Sequence, residues 1–274
     1  MSIEAPYPEL DEMIAAIGEA GQRLSQIEAV EGAAGNISAY FGWPVDPRRR
    51  FSDSEAIEFP VAVPSLAGGS LLVTGSGRRL REALQDPTAN LGFVTVEEDG
   101  RTGRLFTSPR RLFDRLTSEF NSHLAVHQDQ VAATATNFHA VVHAQPGYLT
   151  YLSHVPRYQS EDYLSRHLLR WQPEMVLNLP EGIGCVRFLI PGSAELTSAT
   201  LESLRSHRIA VWCKHGVVAR SDRSVKRAVD RIEYAETAAR YEYLNLTNGE
   251  AGQGLSDEEI REICRVFGIA QTIF

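Results

Sequence analysis

ATNFHAVVHAQP, residues 135–146, carries the β-branched and aromatic residues of a buried strand, and His143 stands near its end, where the strand opens onto a loop. A second apolar run, RIAVWCKHGVVAR at 208–220, reads as one strand or a hairpin kinked near Gly216, with His215 at the end of its first half. Between them, GIGCVRFLI (182–190) reads as strand and AELTSATLESLRS (194–206) as helix. Beyond Ser221, the residues Val225, Ala228, Val229, Ile232, Ala235 and Ala239 form one apolar stripe, which predicts the longest helix of the chain. A last helix starts at Ser256, where Ser256 and Glu259 have capping-box spacing.

Upstream, Leu10, Met13, Ile14, Ile17, Ala20, Leu24 and Ile27 recur at helical steps and predict an amphipathic helix that covers a sheet. AGNISAYFG (34–42) passes into a short strand, and SLLVTGSG (70–77) reads as a buried strand ending in a small-residue turn. LGFVTVEEDGRTGRLFTS (91–108) predicts two strands joined around Asp99-Gly100, a pair suited to positive φ. The polar stretch from Arg115 to Gln130 is compatible with a helix. Strands and helices in this order favour a three-layer α/β/α domain with a central mixed sheet, and the absence of any repeat or linker predicts a single domain over residues 1–274.

With 274 residues, 43% of them hydrophobic, the chain is long enough to bury a sizeable core. Its net charge of −8 argues against nucleic acid or an anionic membrane as partner. The N-terminus lacks the pattern of a signal peptide and no apolar stretch approaches a membrane span, so a cytoplasmic protein is expected. Cys185, Cys213 and Cys264 lie far apart in sequence without a C-x-x-C pair, which predicts reduced packing residues.

Taken alone, a strand-end histidine is more often a hydrogen-bonded core residue than a ligand, and TGSG without a following lysine is a tight turn rather than a P-loop. The order of the motifs changes that balance. AGNIS at 34–38, TGSG at 74–77, TSE at 117–119 followed by His123, and the VHAQP and KHG segments around His143 and His215 resemble the class II aldolase/adducin family. Spacing and chain length are most similar to its rhamnulose-1-phosphate aldolase branch.

The resemblance implies a central mixed sheet with helices on both faces, assembled as a homotetramer with active sites at subunit interfaces. It implies Zn2+ or another divalent metal, bound in the family by three histidines, two of them in an H-x-H pair whose alternate side chains share one side of a strand. His143 and His215 match two ligands, but Gln145 stands at the third position and is a poorer zinc donor than imidazole. His139 is about 13 Å up an extended strand from His143, too far to complete the set without a bend, and is read as structural. Glu119 matches the catalytic carboxylate, which takes a proton from C1 of dihydroxyacetone phosphate in the aldol direction. Asn36, Ser38, Thr74, Gly75, Ser76, Gly77 and Ser118 match the phosphate-binding positions, and Arg78 and Arg79 stand ready to add positive charge. His123 and His127 share a helix face with Glu119 and are read as packing residues. The implied activity is cleavage of a ketose 1-phosphate, a small-molecule sugar phosphate, to dihydroxyacetone phosphate and an aldehyde such as lactaldehyde. Epimerases and dehydratases of the same fold are alternatives, as is an adducin-like binding module without a metal, for which Gln145 is the motivating departure.

Overall fold

The structure is a computed structural model and describes residues 2–274. Its strands are β1 (Asn36–Phe41), β2 (Asp53–Glu58), β3 (Ser70–Thr74), β4 (Leu91–Val96), β5 (Thr102–Thr107), β6 (Phe138–Ala144), β7 (Gly184–Val186), β8 (Ile209–Trp212) and β9 (Gly216–Ser221). They join in one nine-stranded sheet of order β2-β5-β4-β3-β1-β6-β9-β8-β7. Every pairing is antiparallel except β7 with β8, so the sheet is mixed. The helices are α1 (Leu10–Gln26), α2 (Pro87–Asn90), α3 (Phe120–Thr134), α4 (Gly147–Leu152), α5 (Glu161–Leu169), α6 (Pro173–Asn178), α7 (Ala194–Ser206), α8 (Val225–Thr247) and α9 (Asp257–Phe267).

Strand alternation divides these helices between two faces. From β1, Ile37, Ala39 and Phe41 enter the larger core, and from β6, Ala140, Val142 and Ala144 join them; α1 and α8 supply Ile17, Leu24, Val229 and Ile232 to the same core. Val141, between those β6 residues, faces the other way and packs with Val126 of α3, Leu196 and Leu204 of α7, and Trp212 of β8. Helices therefore cover both faces of the sheet, which is the three-layer arrangement expected. The register pairs Asn36 with His143 and Tyr40 with His139 across β1 and β6. Both histidines thus share the α3 face, and a slip of one residue would move them into the apolar core.

Local signals hold up well. The capping box of Ser256 and Glu259 forms at the start of α9, and Gly100 takes φ 60° in the β4–β5 turn while the Asp99 carboxylate accepts from the Arg101 and Thr102 amides. Two expectations change. The helix read from Arg115 starts only at Phe120, because 115–117 are drawn alongside β3: the Ser76 amide donates to Arg115 O at 2.9 Å and the Thr117 amide to Thr74 O at 3.0 Å. The strand read over 182–190 is confined to β7, Gly184–Val186. Cys185 and Cys213, distant in sequence, meet with their sulfurs 3.4 Å apart as free thiols, because β7 runs beside β8 and the Cys213 amide donates to Val186 O. No helix among the described residues is long and apolar enough to cross a membrane.

Candidate metal centre

Three stretches of chain meet on the α3 face of the sheet. His143 comes from the end of β6, His215 from the turn between β8 and β9, and Glu119 from the residue preceding α3. Late entry into α3 sets the last of these: Glu119 keeps a non-helical φ of −103° while its carbonyl accepts from the His123 amide. At the hairpin, Lys214 adopts φ 64°, a costly conformation for a residue with a Cβ, and the His215 amide donates to Trp212 O at 2.9 Å. The Lys214 amide is held by the Ser153 hydroxyl at 2.7 Å. The turn therefore brings His215 toward β6.

Glu119 Oε2 lies 3.7 Å from His143 Nε2, and its Oε1 lies 3.6 Å from His215 Nε2. One ligating atom from each residue falls within 4.8 Å of the others. The His143 Nδ1–H donates to Val217 O at 2.8 Å, so in the neutral ring Nε2 presents a lone pair to the carboxylate. Two imidazole nitrogens and an anionic oxygen converging in this way form the donor set of a divalent cation. Both rings pack on Trp212, with centroids 4.7 Å away for His143 and 5.3 Å for His215, and the Trp212 indole N–H is itself anchored on the Thr200 hydroxyl at 2.9 Å. His215 Nδ1 is buried without a protein partner among the described residues, so this ring lacks the second anchor that His143 has. Burial and the neighbouring His143 ring lower the pKa of His215 against the opposing pull of Glu119, which keeps its nitrogen available to a cation.

Burial resists ionisation of Glu119, but His143, the Asn36 amide, His215 and His123 outweigh it and hold the carboxyl below its ordinary pKa. Behind the carboxylate runs a buried hydrogen-bonded chain. Asn36 Nδ2 donates to Glu119 Oε2 at 2.9 Å, and Asn36 Oδ1 is 2.5 Å from His123 Nε2. Ser38 Oγ sits 2.6 Å from His123 Nδ1 and 2.7 Å from His127 Nε2, and His127 Nδ1 is 2.8 Å from His139 Nδ1. Burial keeps all three of these histidines neutral, His123 and His139 at about 3 and His127 well below its usual value.

A carboxylate can only accept, and that fixes the direction of the whole chain. With Asn36 Nδ2 donating to Glu119, Asn36 Oδ1 must accept from His123 Nε2–H. His123 Nδ1 then accepts from the Ser38 hydroxyl, whose oxygen accepts from His127 Nε2–H. His127 Nδ1 accepts from His139 Nδ1–H, and His139 Nε2 is left as a lone pair. The packing role expected of His123 and His127 is thus also one of orienting Asn36 and, through it, Glu119.

The remaining predicted residues fall into two groups. Ser76 is half-buried, Gly77 and Ser118 are exposed, and the 115–118 segment runs beside the 74–76 turn, so these three border one open surface. Gly75 is buried there, its amide bound to Asn90 O. Ser38 and Thr74 are buried instead: Ser38 serves the two histidines, and the Thr74 hydroxyl pairs with both backbone groups of Ile37. The Asn36 amide is engaged by Glu119 and His123. Arg78 turns to Asn90 and Glu82, and Arg79 also pairs with Glu82, so a single carboxylate offsets part of the positive charge expected beside the turn. Gln145 is half-buried, its amide on Ala29 O; its Cγ and His143 Cε1 each lie 3.0 Å from the point a Cβ on Gly216 would occupy. The sequence leads one to expect Glu119, His143 and His215 to meet around one divalent cation, and these three do lie together, whereas of the Gln145 side chain only Cγ is close to the His143 ring.

Comparison with known proteins identifies the family. Residues 15–243 match the family model described as Class II Aldolase and Adducin N-terminal domain. A rhamnulose-1-phosphate aldolase of Bacteroides thetaiotaomicron is 27% identical over 270 residues, 98% of each chain, and one from Listeria monocytogenes is 30% identical over 207 residues, 74% of this chain and 73% of that protein. A sugar-phosphate aldolase from Thermotoga maritima superposes with a TM-score of 0.75 at 28% identity, covering 89% of this chain and 99% of that one. L-fuculose-1-phosphate aldolase from Thermus thermophilus shares the fold, with a TM-score of 0.55 at 17% identity over 89% of this chain and 98% of that one. On the breadth of that match, and with the sheet and its helices arranged as described, the chain belongs to the class II aldolase and adducin family.

Proposed function

We propose that the protein is a metal-dependent aldolase, a lyase that cleaves a ketose 1-phosphate similar to rhamnulose 1-phosphate into dihydroxyacetone phosphate and an aldehyde such as lactaldehyde. The observation that carries this reading is the buried Glu119 carboxylate set 3.6–3.7 Å from two imidazole nitrogens. His143, His215 and Glu119 would hold the cation, most simply Zn2+, since two nitrogens and an oxygen suit it, and the Gln145 amide would supply a further oxygen. When bound, the cation supplies Lewis acidity at the substrate's carbonyl and hydroxyl oxygens, where negative charge develops.

Glu119 moves the proton. Cleavage breaks the bond between C3 and C4 of the ketose: the C4 hydroxyl gives its proton to solvent water as C4–O becomes the aldehyde carbonyl, and the bonding pair passes to C3 and is delocalised onto the C2 oxygen. Glu119, having taken up a proton from solvent, delivers it to C3, the carbon counted as C1 in dihydroxyacetone phosphate, and in the aldol direction it takes that proton back. A carboxyl held below its ordinary pKa is ready to act as that base. Asn36 and the histidine chain behind it hold the carboxylate in place. Ser76, Gly77 and Ser118 offer amides and hydroxyls to the phosphate, while Asn36, Ser38, Thr74 and Gly75 shape the wall behind them. Homotetramer formation fits the exposed apolar pair Phe188 and Ile190, on the loop leading to Gly192 next to Ser118.

The test is direct: protein loaded with zinc or cobalt is incubated with rhamnulose, fuculose and deoxyribulose 1-phosphates, and dihydroxyacetone phosphate and aldehyde are measured separately. Release of both supports cleavage. Turnover without aldehyde points to an epimerase or dehydratase, and no turnover with no metal retained points to a binding module.

A further inference from the structure

At the opposite end of β6 from His143 the sheet opens into a second cavity of about 680 Å3. Four residues of extended strand separate His139 from His143, roughly 13 Å, so the cavity is distinct from the metal centre. Six arginines line it, Arg205, Arg208, Arg220, Arg223, Arg227 and Arg231, against two aspartates, Asp129 and Asp222. Such a concentration is unexpected in a chain of net charge −8.

Four of the six arginines have no carboxylate paired with them among the described residues. Arg205 pairs with Asp129 at 2.7 Å and Arg208 with Glu181 at 3.3 Å, but among the described residues no carboxylate forms an ion pair with Arg220, Arg223, Arg227 or Arg231. Arg220 and Arg231 are braced by neutral carbonyls, Arg220 Nε on Leu204 O and an Arg231 Nη on Arg220 O. Arg231 is 5% exposed, its Nε has no partner among the described residues, and burial with Arg208, Arg227 and Arg220 brings its pKa down to about 10 against the opposing charge of Glu181. His139, fully buried, turns its own unpartnered Nε2 to the same cavity. The direction of the chain from Glu119 makes that atom an acceptor.

We propose that this cavity is a binding site for a small phosphate-bearing anion, separate from the sugar-phosphate site. Guanidinium groups match phosphate oxygens in geometry as well as charge, and a dianion relieves the mutual repulsion of the arginines. A singly protonated phosphate oxygen also answers the odd polarity of the wall: its O–H donates to His139 Nε2 while its other oxygens accept from Arg231 Nε–H and its neighbours. A carboxylate or sulfate lacks that donor at neutral pH.

The test is calorimetric titration of the full-length protein with inorganic pyrophosphate, without added divalent metal and at constant ionic strength. Saturable binding is expected, weakened roughly tenfold or more in Arg227→Glu and in Arg223→Glu, each with an unchanged melting temperature in the absence of anion. Arg223 is exposed, so that variant folds even if the half-buried Arg227 position does not tolerate the change. Both positions lie away from the Ser76–Gly77 turn, so loss of binding assigns the anion to the arginine cavity whatever reaction the metal centre performs. A flat titration of the wild-type protein, or equal affinity in both variants, overturns the proposal.

Discussion

Asn36 and His143 are directly opposed across β1 and β6, and Asn36 reaches from that position to donate a 2.9 Å hydrogen bond to Glu119. One strand pairing thus sets a metal-ligand candidate beside the group that orients the carboxylate. The bond favours the ionised carboxyl, and it is enclosed: Asn36 is 8% exposed and Glu119 3%.

Removing that donor has a predictable sign. Asn36→Ala takes away a group that lowers the Glu119 pKa, so the carboxyl titrates higher and the acid limb of kcat/KM moves to higher pH. A pH–rate profile checks this; an unmoved acid limb means that Asn36 does not govern Glu119.

Glu119→Gln keeps an oxygen for the Asn36 amide and removes the base. Turnover is expected to fall by roughly 10²–10⁴-fold with little loss of folding stability, measured as aldehyde release beside a thermal melt. A variant that retains turnover would reassign the proton transfer.

Acid weakens the fold through the histidine chain. His123 and His139 have folded pKa values of about 3, below the 6.5 of an exposed histidine, so the unfolded chain binds more protons between those values. Stability is complete above pH 6.5 and is lost as pH falls toward 3, by up to ~1.4 kcal/mol per pH unit for each histidine. Denaturant titrations at pH 7 and pH 5 measure the slope, and His139→Gln should reduce it by about one proton's worth.

Gln145→His should restore an imidazole beside His143 and raise zinc affinity by roughly ten- to a hundredfold, read in a competition titration with a chromogenic chelator. Equal affinity would show that position 145 is not a ligand.

Phe188 and Ile190 are 50% and 66% exposed on one short loop. If they lie in a subunit contact, Phe188→Asp with Ile190→Asp lowers the mass found by light scattering from tetramer to a smaller species while the far-ultraviolet circular dichroism is kept. A tetramer in both proteins places the contact elsewhere.

Elements with a strong local signature were legible before any coordinates. The apolar stripe from Val225, the 194–206 helix, the Asp99-Gly100 turn and the capping box at Ser256 all depend on residues a few positions apart. β2 escaped because DSEAIE is an almost wholly exposed edge strand with no alternation to read. The start of α3 was misplaced because pairing with β3, not propensity, decides it.

The chain by itself determined which chemistry was available: two histidines at strand ends, a glutamate before a helix, and a small-residue turn in family order. Only tertiary structure decided how those groups are used. It joined Glu119 to His143 and His215, buried Ser38 and Thr74 behind the surface, tied Arg78 and Arg79 to Glu82, and gathered six arginines around His139. The reason is physical. Residue type and local spacing fix what a side chain can donate or accept, whereas its partner is set by strand register and helix packing between segments that are far apart in the chain.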